Sequence, residues 1–446
     1  MIVWAIEDET MTPLTRFTLG VLWIGVVALT SACNPHTAPG TVSEVAPQTQ
    51  APGNLAASPV AIDPPAQEGA FAPGIFATDD GNVLLVWMEP LSGFGGEQPS
   101  QYRLQWSEWT PTEGWRAPET IVAGGDFFAN WADTPMIARD SEGRTLVSFA
   151  RKSGPDTYAY DVVLARKDGP GQEWRVLGSP HHDKTQTEHG FVSMVPRKDG
   201  VQVIWLDGRQ YATPSKGPMT LRTAFVGDTI REGTQLDGRV CDCCNTAAAL
   251  VEQRLVVLYR DRDPGEIRDV AIVQETTQGW SSPEALHTDG WNIAGCPVNG
   301  PAVHSNKGQT WSAWFTGADN TSTVKAAVAP PGGSFGEPLV VARGTGQNAP
   351  LGRAAVALLE QDEVAVVWLA GLPEGAVWRA RRLSAQGKLG DAVDIVPANR
   401  ARTSGFARLA PIEGGLVFVF TDAREKPARL RALRLGSGMF PTTTPR

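Results

Sequence analysis

The sequence predicts an all-β fold, a seven-bladed β-propeller, on three observations: one strand pattern recurs seven times, its copies stand at a near-constant spacing, and turn residues are abundant. The recurring strand alternates Val, Leu and aromatic residues and ends at a polar loop: VLLVWMEP (83–90), TLVSFARK (145–152), VQVIWLDG (201–208), RLVVLYRD (254–261), QTWSAWFT (309–316), EVAVVWLA (363–370) and GLVFVFTD (415–422). Its marker aromatics, Trp87, Phe149, Trp205, Tyr259, Trp314, Trp368 and Phe420, are separated by 62, 56, 54, 55, 54 and 52 residues. A period of roughly 50 residues is that of a propeller blade. The 47 Gly and 34 Pro among 446 residues supply the turns that many short strands need.

Each repeat carries further strands. A third is read in DVVLARK (161–167), RDVAIVQ (268–274), TVKAAVA (323–329) and RLRALRL (429–435). A fourth, opened by Gly, Trp and Pro, is read in GWRAPETIV (114–122), GWSSPEAL (279–286) and SFGEPLVV (334–341). Four strands make a blade, and closing the blades into a ring removes the sheet edges that would otherwise pair with other chains. The seventh repeat stops after its third strand near Leu435, while LAASPVAID (55–63) precedes the first blade unclaimed. This N-terminal strand is therefore expected to close the ring as the last blade's outer strand. The fourth strand near REGTQLD (231–237) is weak, which leaves a six-bladed ring as the alternative. The propeller is expected over 58–436, as a monomer, with a disordered tail over 437–446.

Ahead of the propeller, FTLGVLWIGVVAL (17–29) follows Arg16 and precedes Thr30-Ser31-Ala32-Cys33. Thirteen apolar residues suit a signal-peptide core and are too few to span a bilayer. Leu29 to Cys33 resembles a bacterial lipobox, which makes residues 1–32 a signal peptide and Cys33 the lipidated first residue of the mature chain. The acidic Glu7, Asp8 and Glu9 do not suit a signal start, so Met11 is the expected initiator. Asn34 after the cysteine favours the outer membrane over the inner one, and residues 33–57 read as a disordered tether. The expectation is an exported lipoprotein of the cell envelope, held to a membrane by its lipid. A net charge of −9, with Lys and Arg scattered, argues against a nucleic-acid partner.

The stretches RKDGPGQEW (166–174), PPGGSFGEP (330–338) and SAQGKLGDA (384–392) resemble degenerate BNR or Asp-box repeats of the sialidase-like propeller superfamily. CDCC (241–244), YRDR…EIRDV (259–270) and GCPVNGPAV (295–303) together are similar to a bacterial lipoprotein subgroup of it. The resemblance implies a propeller; it also implies a chemistry in which arginines hold a carboxylate, a Tyr–Glu pair attacks and an Asp serves as acid/base. The parts do not assemble here: no Phe/Tyr-Arg-Ile-Pro tetrapeptide occurs, and the last tyrosine, Tyr259, stands barely past the middle. Tyr259, Glu266 and Asp261 are the catalytic candidates such a glycoside hydrolase would have, flanked by Arg209, Arg262, Arg268, Arg353 or Arg402. An authentic sialidase is not expected.

Function is expected on the face where inter-blade loops and second-to-third-strand loops open together, because loops on a rigid scaffold collect binding residues. Cys241, Cys243, Cys244 and Cys296 fall in two successive inter-blade loops. They suit disulfides in an oxidising compartment, or a thiolate site for Cu or Zn with His181, His182 or His189 nearby. Arg260, Arg262 and Arg268 beside Asp261 and Glu266 could clamp an anion or pair among themselves, and Trp131 and Trp291 could stack on sugars or pack between blades. Three functions are thus in view: a module binding a glycan, peptide or envelope protein through this polar face, a Cu/Zn metalloprotein, or a glycoside hydrolase.

Overall fold

A computed structural model describes residues 58–91, 100–360 and 362–442; the expected signal peptide, the lipidated Cys33 and the tether lie outside them. The described residues form seven antiparallel sheets. Blades 1 to 6 span 71–124, 136–178, 189–237, 247–287, 302–344 and 350–398, and blade 7 spans 408–436. Its fourth strand is Val60–Ala61, which pairs antiparallel with Arg429–Gly436 (Val60 opposite Arg434, Ala61 opposite Leu433). The ring is closed by the N-terminal strand, and the weak strand of blade 3 is present as Thr234–Asp237, so the count is seven and not six.

Every residue of Val83–Pro90 is buried. A blade in a closed ring has a neighbour on each face, so both faces of its central strands are apolar. The alternation sorts them: Leu84, Val86 and Met88 pack with Val147, Phe149 and Ala165 of blade 2. Val83, Leu85 and Trp87 pack with Val417, Val419 and Ala432 of blade 7.

Four of the five marker aromatics that carry a polar atom bury it against a carboxylate. Trp87 Nε1 donates to Glu89 (2.7 Å), Trp205 Nε1 to Asp207 (2.8 Å), Trp314 Nε1 to Asp289 (2.8 Å) and the Tyr259 hydroxyl to Asp237 (2.6 Å). Three of these carboxylates are in turn neutralised: Glu89 by Arg103 (2.7 Å), Asp207 by Arg209 (2.6 Å) and Asp289 by Lys325 (2.5 Å). A buried polar handle thus finds its partner without leaving a naked charge inside.

Two outer strands differ from the expected runs. In blade 1 the segment splits into Gly114–Trp115 and Glu119–Gly124, and in blade 4 into Gly279–Trp280 and Glu284–His287. Pro118 and Pro283 sit in the gaps, where a residue without an N–H cannot continue the ladder. The three Asp-box-like stretches fall in one structural place, the turn from third to fourth strand of blades 2, 5 and 6. The expected disordered tail begins ordered: Ser437–Met439 form a short 3-10 turn and Phe440 is buried in the core between blades 6 and 7.

Candidate functional site

The loops 238–246, 261–269 and 290–301 interlock at the mouth beside blades 3, 4 and 5. Isolated bridges join Val240 to Asp261 and Ile267 to Asn292, and the Cys241 N–H donates to the Arg260 carbonyl at 3.0 Å. Gly300 presses against the Asn245 backbone so closely that a Cβ would lie 2.0 Å from its carbonyl oxygen, which is why this position takes glycine. That contact sets the Cys296 loop against the Cys241–Cys244 loop.

The sulfurs of Cys241, Cys243 and Cys244 all lie within 4.8 Å of one another, and Cys241 and Cys244 are 3.6 Å apart. The thiol of Cys243 also contacts that of Cys296. Cys241 and Cys244 are fully buried, Cys243 is half-buried and Cys296 is exposed. Two donors reach the sulfurs: Arg268 Nη1 is 3.3 Å from Cys241 Sγ, and the Asn299 N–H is 3.4 Å from Cys244 Sγ. Hydrogen bonds from Cys243 and Cys244, together with Arg268, hold the Cys241 thiol well below its ordinary range, whereas burial pushes Cys244 up.

The mouth arginines are already engaged. Arg262 binds Asp242 (2.9 Å) and Glu266 (2.7 Å), and Arg268 binds Glu266 (2.7 Å). Arg260 is fully buried and donates only to carbonyls, those of Asn299 (2.7 and 3.0 Å), Arg268 (2.6 Å) and Phe315 (2.7 Å), with its guanidinium over the Trp291 ring. Arg353 donates to the Gly405 and Ala401 carbonyls and lies over Trp131, which stacks on Phe406; burial lowers its pKa to about 10. Arg209 belongs to Asp207 and Asp183, and Arg402 is exposed. Trp291 is buried against Gly317. Tyr259 and Glu266 are not brought together, since the tyrosine is buried between blades 3 and 4 on Asp237. Asp261 lies beside them half-buried, its pKa raised by burial to about 6.

His181 and His189 stand apart from the cysteines in a network of their own. Their rings stack at 4.0 Å with 10° between planes, and Asp161 and Asp183 face the ring nitrogens of both. Against the effect of burial, these carboxylates hold His189 protonated up to about 9. The ligand atoms of Asp161, His181 and His189 lie within 4.8 Å of one another, yet stacked imidazoles keep their in-plane lone pairs in two parallel planes. The two rings therefore cannot both ligate one ion at a bond length near 2 Å, whereas Asp183, His189 and Asp207, with a single imidazole among them, also bring their ligand atoms within 4.8 Å of one another. His182 is exposed and lines a cleft of about 560 Å³ beside it.

Sequence reasoning missed Asp133, Tyr160 and Glu188. The Tyr160 hydroxyl donates to Glu188 Oε1 at 3.0 Å, and the same ring lies beside Asp133, whose Oδ1 accepts the Phe191 N–H at 2.8 Å. Gly190 makes this possible, for a Cβ there would lie 1.8 Å from Asp133 Oδ2. Burial pushes Asp133 up to about 7 and Glu188 up to about 8. An acidic residue within an inter-blade loop was the signal available for Asp133 and Glu188; nothing in the chain announced Tyr160.

Because folded Asp133 binds its proton far more tightly than an unfolded aspartate, its contribution to stability is complete below about pH 4 and lost as pH rises through about 7. Asp133→Asn is therefore expected to gain about 3 kcal/mol relative to wild type between pH 5 and pH 8. Denaturant titrations of both proteins at the two pH values measure this, and a pH-independent difference would refute it.

No family model and no curated protein matches the sequence. Solved structures do resemble the propeller. A protein of unknown function from Dyadobacter fermentans is 11% identical, with 84% of this chain and 97% of that one covered at a TM-score of 0.48. The polysaccharide lyase Uly1 is 8% identical, with 82% and 89% covered at 0.48. The NanB sialidase of Streptococcus pneumoniae is 11% identical, with 82% and 68% covered at 0.41.

Proposed function

We propose that this protein is a soft-metal-binding propeller whose mouth holds Cu(I) or Zn(II) on the thiolates of Cys241, Cys243 and Cys244, with Cys296 alongside. The observation that carries the reading is the mutual approach of three sulfurs within 4.8 Å. Three sulfurs that all approach one another suit one common centre, and thiolates are the ligands that select these ions; the competing arrangement of the same four sulfurs is a Cys241–Cys244 and a Cys243–Cys296 disulfide. The Arg268 guanidinium and the Asn299 N–H form the outer contacts that orient and stabilise charged sulfur. A clamp for an anionic ligand has less support, because Arg260, Arg262, Arg268 and Arg353 all have partners within the protein. Stacking on sugars has less support too, because Trp131 and Trp291 pack against Phe406 and Gly317. As part of the same proposal, lipidated Cys33 keeps the propeller at the envelope membrane.

Elemental analysis of the purified protein, beside a thiol titration under denaturing conditions, tests the metal. About one Cu or Zn per chain with free thiols is the expected result. Metal-free protein with no free thiols would overturn the reading in favour of disulfides.

A further inference from the structure

The four sulfurs are unequal, and their inequality has a direction. Cys241 and Cys244 are fully buried, Cys243 is half-buried and touches each of the others, and Cys296 is exposed and reaches the trio through Cys243. A closed tetrahedral Zn(II) site needs four ligands around one centre, and here, among the described residues, only sulfurs are at hand to supply them. Three clustered sulfurs with a fourth on the solvent side instead match a monovalent soft ion that three thiolates satisfy.

Charge points the same way. A monovalent ion leaves more negative charge on three thiolates than a divalent one does. The Arg268 guanidinium on Cys241 stands where that excess would be, and the buried guanidinium of Arg260 lies behind the same loop, holding the carbonyl of Asn299 whose N–H reaches Cys244.

Resting on the soft-metal reading, we infer that the mouth is a three-thiolate Cu(I) site that exchanges its ion through Cys296 with carriers that hold Cu(I) on thiolates. The exposed Cys296 sulfur attacks carrier-bound Cu(I); its S–Cu bond forms as a carrier S–Cu bond breaks, and the Cys296 proton passes to the departing carrier thiolate. Cys243 then takes the ion inward: its S–Cu bond forms as the Cys296 S–Cu bond breaks and its proton returns to Cys296, and the bonds to Cys241 and Cys244 form as the remaining carrier S–Cu bond breaks, the Cys244 proton leaving on that carrier thiolate. Copper stays monovalent throughout, so no oxidant or reductant enters.

The test uses the Cu(I)–glutathione complex as donor under anaerobic conditions, with retention measured separately by competition against bicinchoninate. Wild type is expected to take up one Cu(I) per chain. Cys296→Ser is expected to hold one Cu(I) with affinity within about tenfold of wild type while capturing it more than about tenfold more slowly. Iodoacetamide gives a second readout that needs no variant: Cys296 is expected to stay reactive in the loaded protein while the other three thiols are shielded. Unchanged capture by Cys296→Ser would overturn the exchange role, and so would outright loss of Cu(I), which would make Cys296 a holding ligand. Tight Zn(II) on four shielded thiols would overturn this inference and leave the soft-metal reading standing. Failure of wild type to bind either ion would bring down that reading itself.

Discussion

Arg260→Met is expected to lower the unfolding free energy by about 4 kcal/mol, because it removes the donors of four buried hydrogen bonds while leaving their acceptors in place. The carbonyls of Asn299, Arg268 and Phe315 belong to three segments at the junction of blades 4 and 5, and one guanidinium satisfies all of them. Methionine fills the volume and keeps the contact with Trp291, so the loss reports unsatisfied carbonyls rather than a cavity. Arg260→Lys keeps the charge but presents its donors from a single nitrogen and cannot span the three acceptors, so most of the loss is expected to remain. Urea denaturation measures both. A change below about 1 kcal/mol for Arg260→Met would mean that the carbonyls find other donors.

Cys241→Ser is expected to reduce metal affinity more than about 100-fold, since a hydroxyl at the bottom of the trio is a hard and protonated ligand where a soft thiolate stood. The same substitution is nearly isosteric, and Arg268 can donate to the new oxygen, so the metal-free variant is expected to keep wild-type stability to within about 1 kcal/mol. Metal content after dialysis against a chelator, beside the denaturation midpoint of the metal-free protein, separates the two effects. Retained metal in Cys241→Ser would remove this sulfur from the site.

The ring was legible because each central strand lies between two neighbours and must be apolar on both faces, a demand that writes runs such as VLLVWMEP into the chain. Outer strands read less well. They answer to one neighbour, and in blades 1 and 4 a proline breaks them. The cysteines were legible because the residue is rare and two successive loops of a ring must lie side by side. Tyr259 was misleading for a related reason: alternation says that a residue is buried, not that its hydroxyl turns to Asp237 and away from Glu266. Asp133, Tyr160 and Glu188 come from three separate segments, and their meeting depends on the close passage at Gly190, which no local pattern encodes. The arginines looked available because the sequence shows charges without showing which of them are already paired.

The strand that closes the ring also sets a timetable. Asp63 meets Arg431, and the two stand 368 positions apart. Contacts at that separation form only once nearly the whole chain exists, and topologies rich in them are slow to reach the native state. Blades 1 to 6 complete their sheets from consecutive strands as they emerge, whereas Val60–Ala61, emerging first, must wait for the last strand made. During that wait blade 7 has no outer strand, and the first and last blades each expose an apolar face that the finished ring hides. A chain cut short before Arg429 would keep those faces bare permanently, so completeness of synthesis is itself a condition for solubility.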